Sequence, residues 1–206
     1  MPTEEDVVVA FHESSASFVE LVGSIDPARY GDPGTGEWTV RELIAHTMRA
    51  FIAIEEVLAR PLDPTSRRLT DAADYYRTAM SIPGVHDGIS ERARAGGALI
   101  EDDPSGHVRS LADRVGLLVD ATPAVREVQH YVGRIAFGDY LVTRVTELVL
   151  HSVDLQVAVG YVPSSPRRAA AVVCDGLRAL ADRVDALAVA CALSGRSRAL
   201  ACDVLA

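Results

Sequence analysis

Residues 139–160, DYLVTRVTELVLHSVDLQVAVG, carry the reading that decides the fold. Leu, Val and Tyr dominate the stretch, Asp139 is placed to cap a helix at its start and Gly160 to close it. Four polar residues, Arg144, Glu147, His151 and Asp154, fall at i, i+3, i+7 and i+10, one line along that helix. Both flanks of the line are apolar: Leu141, Val145 and Leu148 to one side, Val149, Val153 and Leu155 to the other. A helix apolar nearly all round is buried, and buried charges need partners or a metal. The competing reading is a solvated face carrying ordinary i,i+3 pairs, Arg144 with Glu147 and His151 with Asp154.

Glu147 and His151 stand four apart, so their side chains rise from adjacent turns on one face. A carboxylate and an imidazole at that spacing hold a divalent ion if a third ligand arrives from another helix. His46 is placed to do so, inside WTVRELIAHTMRAFIAIEEVLA. That segment reads as a helix with a full capping box, Thr39 as N-cap and Glu42 at N3, and a hydrophobic staple between Trp38 and Leu43. Leu43, Thr47, Ala50, Ile54 and Val57 form its core stripe, and Pro61 ends it at Arg60. A lone His in such a stripe is more often a satisfied core residue than a ligand. Two His and one carboxylate suit Zn²⁺ first, with Ni²⁺ or Fe²⁺ as alternatives. Three protein ligands leave positions open, as in catalytic sites. Asp154 would then orient His151, and Arg144 would hold Glu147, from outside the ligand set.

The rest of the chain reads as helices too. A first helix runs from about Glu4 to Gly23, with Thr3 and Asp6 as a weak capping box and Val7, Phe11, Ser14, Phe18, Leu21 and Ile25 as its buried stripe. The loop GDPGTGEW lacks the Lys-Ser/Thr pair of a phosphate-binding loop and reads as a turn. A short helix follows at 71–80, then the turn SIPGVHDG. A longer helical region spans 89–119, broken near EDDPSG, with Leu111, Val115, Leu118 and Val119 buried. Residues 125–135 are ambiguous, a loop with a short extended piece. A last helix begins near Pro166 and runs to about Leu193, and the tail GRSRALACDVLA is either a short strand or a frayed end. The expectation is an all-α antiparallel helical bundle of five or six helices. It forms one domain, residues 1–206, with a core bundle at 3–160 and a C-terminal helical extension at 164–206.

Composition narrows the partners. The chain has 206 residues, about half apolar and a quarter charged, with a net charge of -9. That acidity argues against nucleic acid and against anionic membranes. No run reaches membrane-spanning length, and the acidic start MPTEEDVVVAFHE is no signal peptide. Cys174, Cys191 and Cys202 are odd in number and form no CxxC pair, so they read as small buried thiols of a cytoplasmic protein. His12, His86, His107 and His130 read as solvated, and Glu55 and Glu56 as exposed. An Ala-rich C-terminal helix leaves room for a homodimer.

At these residues the sequence resembles a known family. GEWTVRELIAHTMRAF is similar to the W-[ST]-V-R-[DE]-L-[IV]-A-H segment of mycothiol-dependent maleylpyruvate isomerases, and GDYLVTRVTELVLHSVDLQVAVG to their D-Y-L-x-T-R-V-x-E-L-V-x-H-x-x-D-L block. These isomerases belong to the DinB-like superfamily of metal-binding four-helix bundles. The resemblance implies a His, Glu and His metal triad at His46, Glu147 and His151, and mycothiol, a low-molecular-weight thiol, as co-substrate. It implies a thiolate that attacks a small-molecule electrophile. The isomerase proper carries a further α/β domain at its C-terminus, and the expectation here is a member lacking it. The function expected is therefore a metal- and thiol-dependent transferase or isomerase-like enzyme of open substrate. The alternatives are a non-catalytic metal- or small-ligand-binding bundle, and a metal-free bundle whose polar stripe is a salt-bridge network.

Overall fold

A computed structural model describes residues 2–100 and 103–181, with backbone only at 85–87. Two capping boxes start the first two helices, α1 (Glu4–Ser24) and α2 (Val40–Ala59). Thr3 and Thr39 each accept the N–H of the residue three along, and Asp6 and Glu42 reach back to the cap N–H. Each cap contributes about 1 kcal/mol. The box at Thr3 is complete, stronger than its sequence suggests. The stripes expected for both helices are buried, and the hydroxyls among them donate to their own helix: Ser14 and Ser15 to the Phe11 carbonyl, Thr47 to that of Leu43.

α3 (Ala72–Met80) is capped by Asp71. α4 (Val85–Leu99) absorbs the last four residues of SIPGVHDG, entered through Gly84 at φ 73°. The break near EDDPSG separates α4 from α5 (Pro104–Ala121), where Asp103 caps and Pro104 sits at the first helical position. Two further helices, α6 (Phe137–Ala158) and α7 (Arg167–Leu180), bring the total among the described residues to seven, above the five or six expected. α1, α6, α2 and α5 touch in a closed ring, each packing on the next; α4 packs on α2, α7 on α1 and α6, and α3 on α6 and α7. This is the expected helical bundle, with α7 added on α1 and α6. Phe11, Phe18, Phe51, Leu43, Ile54, Tyr140 and Leu148 fill its centre.

Several expectations need correction. The ambiguous stretch forms a hairpin, β1 (Glu127–His130) paired antiparallel with β2 (Gly133–Ala136). The chain at 67–69 lies beside β2, with Leu69 N–H to the Arg134 carbonyl and Arg134 N–H to that of Arg67, both 2.8 Å. Gly133, at φ 145°, lets the Arg67 carbonyl approach to 2.5 Å of where a Cβ would sit. Asp139 does not cap α6: the cap position is Ala136, and Asp139 lies in the first turn. Pro166 is the residue before α7, and Leu118 is only half-buried. Cys174 is exposed, because it falls on the outer side of α7. Cys191, Cys202, the end of the last helix at Leu193 and the tail lie outside the described residues. No helix among the described residues is long and apolar enough to cross a membrane.

Candidate metal centre

α6 is buried along most of its length; on its polar line Arg144 is buried, and Glu147, His151 and Asp154 are half-buried. α2 crosses it and presents His46. One ligand atom from each of His46, Glu147 and His151 lies within 4.8 Å of the other two. His46 Nε2 is 3.1 Å from His151 Nε2, which is 3.3 Å from Glu147 Oε2. Each group is held by a different device. The Asp154 carboxylate sits 3.0 Å from His151 Nδ1, which turns Nε2 toward the other two. The Trp38 ring lies 4.5 Å from the His46 ring. The Tyr76 hydroxyl donates to Glu147 Oε1 at 3.2 Å.

Electrostatics divides the charges among them. Burial disfavours a charge on Glu147, but the His151 hydrogen bond and the Arg144 charge outweigh it and hold the carboxyl at about 2. Burial and the neighbouring His151 push His46 down to about 4, so its imidazole is neutral. Burial also opposes charge on His151, yet Asp154 and Glu147 raise its pKa to about 9. At neutral pH His151 is therefore an imidazolium between two carboxylates, and its Nε2–H faces the Nε2 lone pair of His46.

Arg144 is buried at 7 % exposure. Its Nε donates to Thr143 Oγ1 at 3.0 Å, and its guanidinium lies 5.0 Å from the Tyr140 ring centroid and 5.8 Å from that of Tyr75. It acts on Glu147 through space, not by gripping it. A cavity of about 430 Å³ opens beside the cluster, with His46, Glu147, Arg144, Tyr76 and His130 in its wall. Three of these residues escape the sequence reading. Tyr75 and Tyr76 arrive on α3, a short helix whose register against α6 no local pattern sets. His130, expected in solvent, is buried on β1 against Tyr75 and Tyr140, and burial with the charge of Arg144 lowers its pKa to about 3.

The remaining histidines stand apart. His12 pairs with Asp120 at 2.7 Å, and His107 is exposed on α5. His86 lies among the residues described by backbone only. Glu55 and Glu56 pair with Arg114 and Arg49 on the outside of α2.

No curated relative matches the sequence. Among solved structures, a crystal structure of the mycothiol-dependent maleylpyruvate isomerase is similar at 19 % identity and a TM-score of 0.59, covering 86 % of this chain and 69 % of that one. A histidine-to-alanine variant of that enzyme matches equally, at 18 % identity and the same TM-score. At such identity the likeness speaks for the fold. The family model described as the mycothiol maleylpyruvate isomerase N-terminal domain matches residues 10–156, a span that takes in α2, α6 up to residue 156 and all three clustered side chains. The chain belongs to the mycothiol maleylpyruvate isomerase N-terminal domain family.

Proposed function

We propose that this protein is a metal- and thiol-dependent enzyme of the isomerase or transferase type, with His46, Glu147 and His151 holding one divalent cation. The observation that carries the reading is the convergence of those ligand atoms within 4.8 Å at the wall of a cavity of about 430 Å³. The donor set fits the ion: one neutral imidazole, one carboxylate and one imidazole whose single displaceable proton faces both. Two nitrogens and one oxygen favour Zn²⁺, and three ligands leave room for an exogenous group. Bound there, the cation supplies Lewis acidity that brings a thiol's pKa toward neutrality.

The protein's own residues do the rest. Asp154 keeps the His151 Nδ1 proton and fixes the ring. Arg144 and His151 keep Glu147 ionised, and Tyr76 donates to its Oε1. The cavity admits a small electrophile next to His46 and Glu147, and residues of α4 and the hairpin line it. Family membership supports mycothiol as the thiol and an activated alkene such as maleylpyruvate as the first electrophile to try. The test is adduct or isomer formation from mycothiol and maleylpyruvate, or from mycothiol and an epoxide, with and without a chelator. Turnover that stops on chelation, returns with zinc and is absent in His46→Ala supports the reading. Turnover indifferent to chelator refutes it and leaves the three side chains as a buried ion network.

A further inference from the structure

We infer that Tyr76 is a positioning residue which confines Glu147 to one-oxygen ligation and thereby keeps a coordination position open for the thiol. The inference rests on the metal reading above and deepens it. Glu147 has two oxygens with different neighbours. Oε2 faces His151 Nε2 at 3.3 Å, on the side where the ligand atoms converge. Oε1 faces away and accepts from the Tyr76 hydroxyl at 3.2 Å. Oε1 keeps a second lone pair, but swinging it toward a cation on the Oε2 side would lengthen or break the bond to Tyr76, so the bond favours ligation through Oε2 alone.

The Tyr76 hydroxyl has one proton, with Glu147 Oε1 at 3.2 Å, the Thr143 carbonyl at 3.1 Å and the neutral Thr146 hydroxyl as neighbours. The carbonyl lies inside α6 and already accepts a helical N–H. A hydrogen bond to an ionised oxygen is roughly twice as strong as one to a neutral acceptor. The proton therefore goes to Glu147. The phenol is buried, at 6 % exposure. Its backbone is equally fixed. Asp71 caps α3, and Ala72, Ala73, Tyr75 and Ala79 bury the same helix against its neighbours. Asp154 on His151 and Tyr76 on Glu147 form a matched pair of outer supports, one on the helix of the ligands and one brought in by a third helix.

The experiment uses cobalt(II) as the probe ion on the full-length protein, with dithiothreitol as the probe thiol. Cobalt d–d absorption weakens as coordination number rises, and a coordinated thiolate adds a charge-transfer band in the near ultraviolet. Wild type should show intense d–d bands and a thiol-dependent charge-transfer band. Tyr76→Phe should bind cobalt with weaker d–d bands and need roughly tenfold more thiol to develop the second band. Tyr75→Phe removes a neighbouring buried hydroxyl that does not touch Glu147, and should keep the wild-type cobalt spectrum. Identical spectra and thiol titrations for wild type and Tyr76→Phe overturn the role of Tyr76 alone. Failure of wild type to take up cobalt overturns the metal reading, and this inference with it. If Tyr76→Phe does not fold, the unmutated protein decides. Its metal-loaded minus metal-free infrared difference spectrum should show the wide carboxylate splitting of single-oxygen ligation, assigned by its loss in Glu147→Gln, and a narrow splitting contradicts the inference.

Discussion

At the scale of single residues, the polar line on α6 does two separate jobs. Glu147 and His151 face His46, whereas Arg144 and Asp154 tune them, Arg144 through space and Asp154 by a 3.0 Å contact. Asp154→Asn removes the carboxylate that orients His151 and favours its charge. Metal affinity should fall about 10- to 100-fold in a chelator competition, and an unchanged affinity would show that Asp154 is only a surface partner. His130 offers an independent check, because it lies off the ligand set. Its pKa is near 3 in the fold against 6.5 for the free side chain. Below pH 6.5 the unfolded chain gains a proton that the folded one refuses, so stability falls as pH drops, by up to about 1.4 kcal/mol per pH unit. In the metal-free protein His46 adds to that loss. His151, with its raised pKa, instead stabilises below 6.5 and loses that effect as pH rises toward 9. Urea midpoints at pH 6.5 and 5.5 should differ less in His130→Gln than in wild type, and equal differences would contradict the assignment. The three proposed ligands were legible because Glu147, His151 and His46 sit on two strongly periodic helices. Tyr76 was not, because its meeting with Glu147 joins residues 71 apart through tertiary packing alone.

At the scale of elements, the helices follow from local rules and the hairpin does not. Thr39, Glu42 and Pro61 mark both ends of α2 in the sequence, and the structure places the helix between them. Thr39→Ala should cost about 1 kcal/mol and lower the melting temperature by a few degrees. A loss no larger than that of an exposed Thr→Ala substitution elsewhere would count against the cap. The hairpin of β1 and β2 has four residues per strand, too few for alternation to declare itself. It is held from outside, by the hydrogen bonds from 67–69 and by burial of Val128 and Ile135. Gly133→Ala would drive a Cβ into the Arg67 carbonyl at a φ that L residues rarely adopt. The expected loss is about 1–3 kcal/mol, with His130 displaced from the cavity wall, readable as a changed histidine NMR signal. A protein as stable as wild type would mean that the approach of 67–69 to β2 is dispensable. Asp139 shows the limit of cap reading: an acidic residue near a helix start also suits the first turn, where the helix dipole favours it.

At the scale of the whole molecule, four helices closed in a ring produce an interior in which ionised groups are affordable only in company. Among the described residues, the bundle gathers such groups where α2, α6 and α3 come together. A cation there would replace the His151 proton and tie α2 to α6. Metal loading should therefore raise the melting temperature of the metal-free protein in a concentration-dependent way, and the gain should shrink as the pH drops, because protons compete for His46 and His151. A melting temperature blind to added zinc would argue that the two helices are not joined by an ion. The all-helical class and the family resemblance were readable from two motifs, since WTVRELIAH and TRVTELVLHSVD carry both the packing pattern and the ligand types. The walls of the cavity were not, since Tyr75, Tyr76 and His130 reach it from segments whose placement depends on the completed bundle.

The most direct measurement is the metal content of protein purified without a metal-affinity column, wild type beside His46→Ala, with circular dichroism to verify helicity. About one zinc-class ion per chain in wild type, lost in His46→Ala at unchanged helicity, is the predicted result. A wild-type protein that binds no divalent ion, or a His46→Ala protein that keeps its full complement, would contradict the account.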